Sequence, residues 1–78
     1  MSDAPSMIHF RCTTTIDGHE VSATMDLNQR VWDEADDQWR AEHLDSVRLR
    51  FSSWVRRETG VELPEDEMLA LTVSTLPN

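Results

Sequence analysis

Hydrophobic and polar positions alternate along the first part of the chain. Between residues 8 and 16, every second position falls on one face, which is made of Ile8, Phe10, Cys12, Thr14 and Ile16. This period of two, rich in β-branched residues, predicts a half-buried strand. Asp17-Gly18 follows, a pair typical of two-residue hairpin turns because both positions must adopt positive φ. A second alternating run has the apolar face Val21, Ala23, Met25 and Leu27. The two runs together predict a β-hairpin.

The length of the turn sets the register of this hairpin. A two-residue loop pairs Ile16 with His19 and, at the far end, Ile8 with Leu27. In that register the two apolar faces coincide, whereas a shift by one residue would turn one of them towards water. The opposite face is polar, and we expect it to be wet or covered by a partner. It contains His9, Arg11, Thr13, Glu20, Ser22 and Thr24.

A helical period replaces the alternation in the middle of the chain. One apolar stripe recurs every three or four residues through Trp39, His43, Val47, Phe51 and Trp54. This spacing predicts an amphipathic helix over about residues 33–59, with Gly60 as its C-cap. Three acids are candidate N-caps, namely Asp33, Asp36 and Asp37. Trp32 and Ala35 extend the stripe backwards, so the start of the helix is less well defined than its end.

The last segment predicts a third strand. Pro64 is suited to open a short helical turn through residues 65–67, and residues 68–76 then read as a strand with Leu69, Leu71 and Val73 on one face. The order β-β-α-β predicts an α+β fold, in which a mainly antiparallel three-stranded sheet of order 2-1-3 carries one long helix on one face. The alternative places the third strand parallel to the second, and antiparallel pairs are commoner. Residues 1–6 are predicted to be a flexible tail and residues 7–78 a single compact domain.

Residues with catalytic or ligand-binding chemistry are sparse. The single cysteine, Cys12, cannot form an internal disulfide, which is typical of a reducing compartment and favours the cytoplasm. The three histidines lack metal-ligand spacing, and no phosphate-binding glycine loop or catalytic motif is present. His43 lies in the apolar stripe and is predicted to be a hydrogen-bonded histidine at the edge of the core. We therefore expect a non-enzymatic protein without metal or cofactor, and no apolar run is long enough to predict a membrane span.

Charge changes the functional interpretation. The chain has 15 acidic residues, seven arginines and no lysine, for a net charge of −8, which argues against direct binding of nucleic acid. Residues 17–45 hold nine acids and two arginines, whereas residues 46–60 hold four arginines and one acid. Solubility and the helix dipole explain part of this order. A functional interpretation is that acids form a docking surface for a basic groove on another protein. The candidate partner-binding residues are Asp33, Glu34, Asp36, Asp37, Glu42, Asp45, Glu65, Asp66 and Glu67.

Three tryptophans are many for a chain of 78 residues. Trp32, Trp39 and Trp54 lie on or near the helical stripe, so their simplest role is to anchor the core. One small sheet has little area to cover three indoles together with Phe51, and any indole left exposed would mark a partner or dimer surface. The free edges of strands two and three offer a second route to a homodimer, by strand addition.

The acid cluster from Asp33 to Asp37, together with Glu65-Asp66-Glu67, resembles small acidic inhibitors encoded by bacteriophages and mobile elements, including anti-CRISPR proteins and DNA mimics. The resemblance is one of size, charge and a compact sheet-plus-helix build. It implies a stoichiometric mechanism in the host cytoplasm, in which an acidic surface blocks the nucleic-acid-binding or assembly surface of a host effector complex. The alternative is a small homodimeric structural or assembly protein, or an immunity-type accessory protein with one cognate protein partner.

Overall fold

The hairpin forms in the predicted register. In the computed structural model, which describes residues 6–76, β1 (Met7–Ile16) and β2 (His19–Asn28) pair antiparallel over their full length. Asp17 (φ 51°) and Gly18 (φ 80°) both have positive φ, as a type I′ turn requires. The predicted tail, residues 1–6, lies outside the described residues except for Ser6. The Ser6 carbonyl accepts a hydrogen bond of 2.9 Å from the Gln29 N–H.

The third strand completes an antiparallel sheet of order β2-β1-β3. β3 (Val73–Leu76) pairs with β1 from Cys12–Val73 to His9–Leu76, which confirms the predicted strand order and excludes the parallel alternative. The predicted strand over residues 68–76 was too long.

A helix replaces the first part of that predicted strand. α3 (Glu65–Leu69) contains Met68, which is buried, and Leu69, which is 49% exposed. Pro64, with φ −58°, precedes it, and three acids occupy its first turn, where the helix dipole favours them. Leu69 therefore does not share a face with Leu71 as predicted.

Two helices occupy the region predicted to be one. α1 (Gln29–Glu34) is followed by α2 (Asp37–Thr59), and the backbone of Ala35 and Asp36 between them is extended. The predicted start near residue 33 was therefore wrong, although Asp36, one of the three candidate N-caps, does cap α2.

Gly60 ends α2 as the sequence predicts. Its backbone lies in the left-handed region (φ 77°, ψ 0°), and its N–H donates to the Arg56 carbonyl at 2.9 Å. Glycine is favoured in this conformation because it has no Cβ to clash with the following carbonyl.

The core lies between the sheet and α2. Its buried side chains come from β1, α2 and the segment around α3, and they are Ile8, Phe10, Cys12, Val47, Phe51, Val55, Met68 and Leu71. The α2 members recur at every fourth residue, so the centre of the predicted stripe, Val47 and Phe51, is buried and Val55 continues it, whereas Trp39 at its start is exposed. The other face of the sheet is polar, with Arg11, Ser22 and Thr24 exposed to solvent. Among residues 6–76, no helix combines the length and apolar character needed to cross a membrane.

Candidate partner-binding surface

A shallow depression of about 400 Å³ lies where α1 meets α2. We call it the acidic corner, and its lining residues are Val31, Glu34, Ala35, Asp36 and Trp39. Val31 and Trp39 are 45% and 37% exposed, respectively. Two apolar side chains therefore reach solvent beside two carboxylates, whereas most other large apolar side chains among the described residues pack in or against the core.

Two N-caps explain why the chain turns at this point. The Asn28 side chain accepts from the Arg30 N–H at 2.8 Å, which starts α1 directly after β2. The Asp36 side chain accepts from the Trp39 N–H at 2.8 Å, which starts α2. Each cap satisfies a helix N–H that would otherwise lack a partner.

Arg40 fastens the two helices together. Its Nε donates to the Trp32 carbonyl at 3.0 Å, and its Nη2 donates to the Asp33 carbonyl at 3.1 Å. Both carbonyls belong to the last turn of α1, where helix carbonyls lack their usual partners four residues on, and the Trp32 carbonyl also accepts from the Ala35 N–H at 3.3 Å. The guanidinium also lies 5.4 Å from the centroid of the Trp32 ring. Arg40 therefore joins the end of α1 to the start of α2 and places a cation within the acidic block.

An aromatic cluster supports the corner from below. Trp39 stacks on His43, with ring centroids 5.1 Å apart and planes 4° apart. The His43 and Phe10 rings are inclined by 61° in an edge contact, also with centroids 5.1 Å apart. Trp32 contacts Phe10 edge-on, also at 5.1 Å. Phe10 is completely buried, so the exposed Trp39 ring is joined to the core through one intermediate ring. This stacking fixes the indole at the surface.

His43 differs from its predicted role in one respect. It is partly buried at the edge of the core, as predicted, but within residues 6–76 its ring contacts are aromatic rather than hydrogen-bonded. Burial lowers the pKa of His43, and the nearby Arg50 cation lowers it further. The ring is therefore neutral at neutral pH and stacks without a charge to desolvate.

Four of the nine predicted acids gather at or beside the acidic corner. Glu34 and Asp36 line the depression, and Asp33 and Asp37 flank them in sequence. Asp33 accepts from the Gln29 side chain at 2.9 Å, and Asp36 is engaged as the N-cap. The Asp37 side chain is fully exposed, and its ion pair with Arg40 is long, with 3.9 Å between the two nearest atoms. Of these four acids, Glu34 and Asp37 are therefore less committed to local structure than Asp33 and Asp36.

The other five acids lie elsewhere. Along α2, Glu42 accepts from the Gln38 side chain at 3.3 Å, and Asp45 pairs with Arg48 at 2.8 Å. The remaining three form the first turn of α3 and are Glu65, Asp66 and Glu67. The carbonyl of Leu71, just after α3, accepts from Arg48 Nε at 2.9 Å. Arg48 lies eleven residues after Asp37 in α2, which is about 17 Å along the helix axis. The acids of α3 therefore form a separate group.

The sequence alone did not reveal the apolar half of the acidic corner. Val31 was not singled out, and Trp39 looked like a core anchor because it continues the helical stripe. The backbone of Ala35 and Asp36 is extended, and this break interrupts the stripe immediately before Trp39. The sequence offered one signal of a contact across this break, namely Arg40. It is one of only two arginines among nine acids in residues 17–45.

Cys12 and His9, both in β1, do not line the acidic corner. Across residues 6–76, no group of three or more His, Cys, Asp or Glu side chains is placed to hold a metal ion. Cys12 is buried, and burial raises the pKa of its thiol, so the reactive thiolate is disfavoured. His9 pairs with Asp26 on the polar face of the sheet. Charge and apolar surface, rather than reactive groups, distinguish the site.

Comparison with known proteins adds no family to this description. No protein-family model matches the chain, and neither a curated protein nor a solved structure matches it.

Proposed function

We propose that this protein is a non-enzymatic, protein-binding inhibitor whose acidic corner docks on a basic surface of a host effector complex, in the manner of anti-CRISPR proteins and DNA mimics. The observation that carries the proposal is the exposure of Val31 and Trp39 in one depression with Glu34 and Asp36. Apolar anchors framed by charged groups are the arrangement found where interfaces concentrate their binding energy.

The two kinds of residue have different roles in this proposal. The carboxylates attract a surface rich in Arg and Lys, which accelerates encounter and makes binding sensitive to salt. They take the place of phosphates in a groove built for nucleic acid. Trp39 and Val31 then exclude water from the contact and slow dissociation. Because Trp39 already rests on His43, little side-chain freedom is lost when a partner covers it.

Affinity capture from host lysate, with variants that separate the acid groups, tests the proposal. The double variant Glu34→Gln/Asp37→Asn removes two charges at the corner, and Glu65→Gln/Glu67→Gln removes two on α3 as a matched control. We expect the corner variant and Trp39→Ala to lose the captured partner, and the α3 variant to retain it. Wild-type capture should also weaken as salt rises from about 0.1 M to about 0.5 M.

Two results would contradict the proposal. Equal capture by the corner and α3 variants would show that the corner is not the docking surface. Capture that survives the highest salt unchanged would show that the contact is not electrostatic, and phosphate mimicry would be the wrong mechanism.

A second candidate function is a small homodimeric assembly or accessory protein. Two further apolar side chains, Leu49 (55% exposed) and Leu69 (49% exposed), lie outside the acidic corner and favour an additional protein contact. Sedimentation equilibrium over a wide concentration range measures the oligomeric state directly. A species that stays monomeric at the highest soluble concentration would exclude the homodimer.

A further inference from the structure

A second depression, of opposite charge to the acidic corner, runs between β2 and α2. We call it the β2 groove. Its volume is about 540 Å³, and its lining residues are Ala23, Thr24, Met25, Leu49, Arg50, Ser53, Trp54 and Arg57. Leu49 is 55% exposed, and Trp54 is partly exposed beside it. The groove therefore combines apolar surface with two cations and lies directly beside a strand.

The strand beside the groove has a free edge. β2 is the outer strand in the order β2-β1-β3, and within residues 6–76 no other strand pairs with its far side. The two-residue turn makes Ile16–His19 the first hydrogen-bonded pair, and such pairs recur at every second position. The N–H and C=O groups of the intervening residues therefore point away from β1. These residues are Glu20, Ser22, Thr24 and Asp26.

This edge has only part of the usual protection against strand addition, because Glu20 and Asp26 are charged but lie towards its two ends. β2 has ten residues and contains neither lysine nor proline, and the centre of its edge is formed by the uncharged Ser22 and Thr24. Natural edge strands are commonly shortened, charged or interrupted, because an open edge is a template for another chain. Thr24 both presents its backbone to the edge and lines the β2 groove, so one incoming strand would contact both.

Charge indicates what would occupy the groove. Arg50 and Arg57 line it, no acidic residue does, and neither arginine forms a salt bridge with a described residue. The whole chain, in contrast, has a net charge of −8. Guanidinium groups beside apolar surface are well suited to carboxylates, because they offer forked donors and are less strongly hydrated than ammonium groups.

We propose that the β2 groove binds an extended, acidic segment of a partner protein, which adds as a fourth strand to the free edge of β2. Side chains of an added strand alternate between the two faces of the sheet. Those on the α2 side carry carboxylates for Arg50 and Arg57 and an aliphatic group for Leu49. Those on the other side are neutral or basic, because Glu20 and Asp26 lie there.

A second copy of this chain fits the edge less well. Antiparallel pairing of two β2 edges around a two-fold axis would bring Arg50 and Arg57 of one copy towards the same residues of the other. With the axis at Ala23, it would also place Glu20 of each copy opposite Asp26 of the other, and like charges across paired strands are destabilising. An acidic strand from a different protein meets neither penalty.

Selection from a displayed library of random ten-residue peptides tests this specificity without knowledge of the natural partner. We expect the folded protein to enrich peptides that alternate acidic or aliphatic residues with neutral or basic ones. Failure to enrich any peptide, or equal enrichment of acidic and basic peptides, would overturn the proposal.

The most enriched peptide, labelled with a fluorophore, then measures the groove by anisotropy. The variant Arg50→Glu/Arg57→Glu should weaken binding at least tenfold. The variant Arg30→Glu/Arg56→Glu makes the same charge change outside the groove and should weaken it only slightly. Equal losses would show that the peptide responds to net charge alone and would refute a defined site. Trp39→Ala should leave this binding unchanged, which separates the β2 groove from the acidic corner.

Proline variants test strand addition itself. Thr24→Pro removes an N–H that faces the free edge without removing one from the β1–β2 ladder, so the fold should persist while peptide binding is lost. Thr15→Pro is the matched control, because the Thr15 N–H faces the other side of β1 beyond the residues that β3 covers. Full binding by Thr24→Pro would overturn the proposal. Slow exchange of the Ser22 and Thr24 amides in the free protein would also overturn it, because a second copy would then occupy the edge.

Discussion

Replacing Asp36 by alanine should destabilise the protein more than removal of a neighbouring charge does. The Asp36 side chain accepts the Trp39 N–H at 2.8 Å and starts α2, the helix that supplies Val47, Phe51 and Val55 to the core. Loss of an N-cap costs about 1 kcal/mol. Loss of its charge beside the helix dipole adds about 0.3–1 kcal/mol.

The expected total of about 1–2 kcal/mol is a substantial share of the stability of so small a domain. Seventy-eight residues correspond to a free energy of unfolding of about 4–12 kcal/mol. For a domain of this size, the loss lowers Tm by about 4–16 °C. Urea denaturation followed by circular dichroism and by tryptophan fluorescence measures the change in free energy directly.

Two further variants isolate the cap from the charge. Asp36→Asn keeps an oxygen that can accept the hydrogen bond from the Trp39 N–H. It should therefore lose only the stabilisation that comes from the negative charge beside the helix dipole. Asp37→Ala removes the same charge one residue later, where the side chain is fully exposed and makes no cap. If Asp36→Ala is no less stable than Asp36→Asn, the cap does not define the start of α2 and the reasoning fails. Asp36→Asn is also the appropriate variant for testing the role of this charge in partner binding.

Three other predictions concern Gly60, Cys12 and His43. Gly60→Ala should lower the free energy of unfolding by about 1–2 kcal/mol, because alanine is strained at φ 77°, and an unchanged urea midpoint would contradict this. Burial raises the pKa of the Cys12 thiol, so Ellman's reagent should label it slowly in the native protein and rapidly in urea; equal rates would contradict this. Burial, aided by the Arg50 cation, lowers the pKa of His43 below its unfolded value, so the unfolded chain binds the proton more readily. Stability should therefore fall as pH drops through the range just below the ordinary histidine pKa, and His43→Gln should show a smaller fall in the same urea assay; an identical fall would contradict this.

The hairpin was predictable because its signals are local. Alternation in β1 and β2, joined by Asp17-Gly18, is compatible with one register, and the structure has that register from end to end. The end of α2 was predictable for the same reason, since Gly60 adopts a conformation in which glycine is strongly favoured.

The start of α2 and the extent of β3 were not predictable in this way. Trp32 and Ala35 continue the apolar stripe, so local periodicity favoured one helix across the break. The break instead depends on contacts between elements. Arg40, the fourth residue of α2, donates to two carbonyls at the end of α1, and Trp32 packs on Phe10 of β1. Similarly, the alternation of Leu69 and Leu71 is typical of a strand. In the structure, however, Met68 packs in the core from the short helix α3, and Leu69 faces solvent.

The sequence by itself determined the hairpin and its register, the end of α2 and the uneven distribution of charge, and it favoured the antiparallel sheet order over the parallel alternative. Only the tertiary structure decided that Trp39 and Val31 reach solvent beside Glu34 and Asp36, and that the acids of α3 form a separate group. The physical reason is the range of the interactions involved. Backbone propensity and capping depend on neighbours a few residues away, whereas exposure depends on which distant elements pack against a residue.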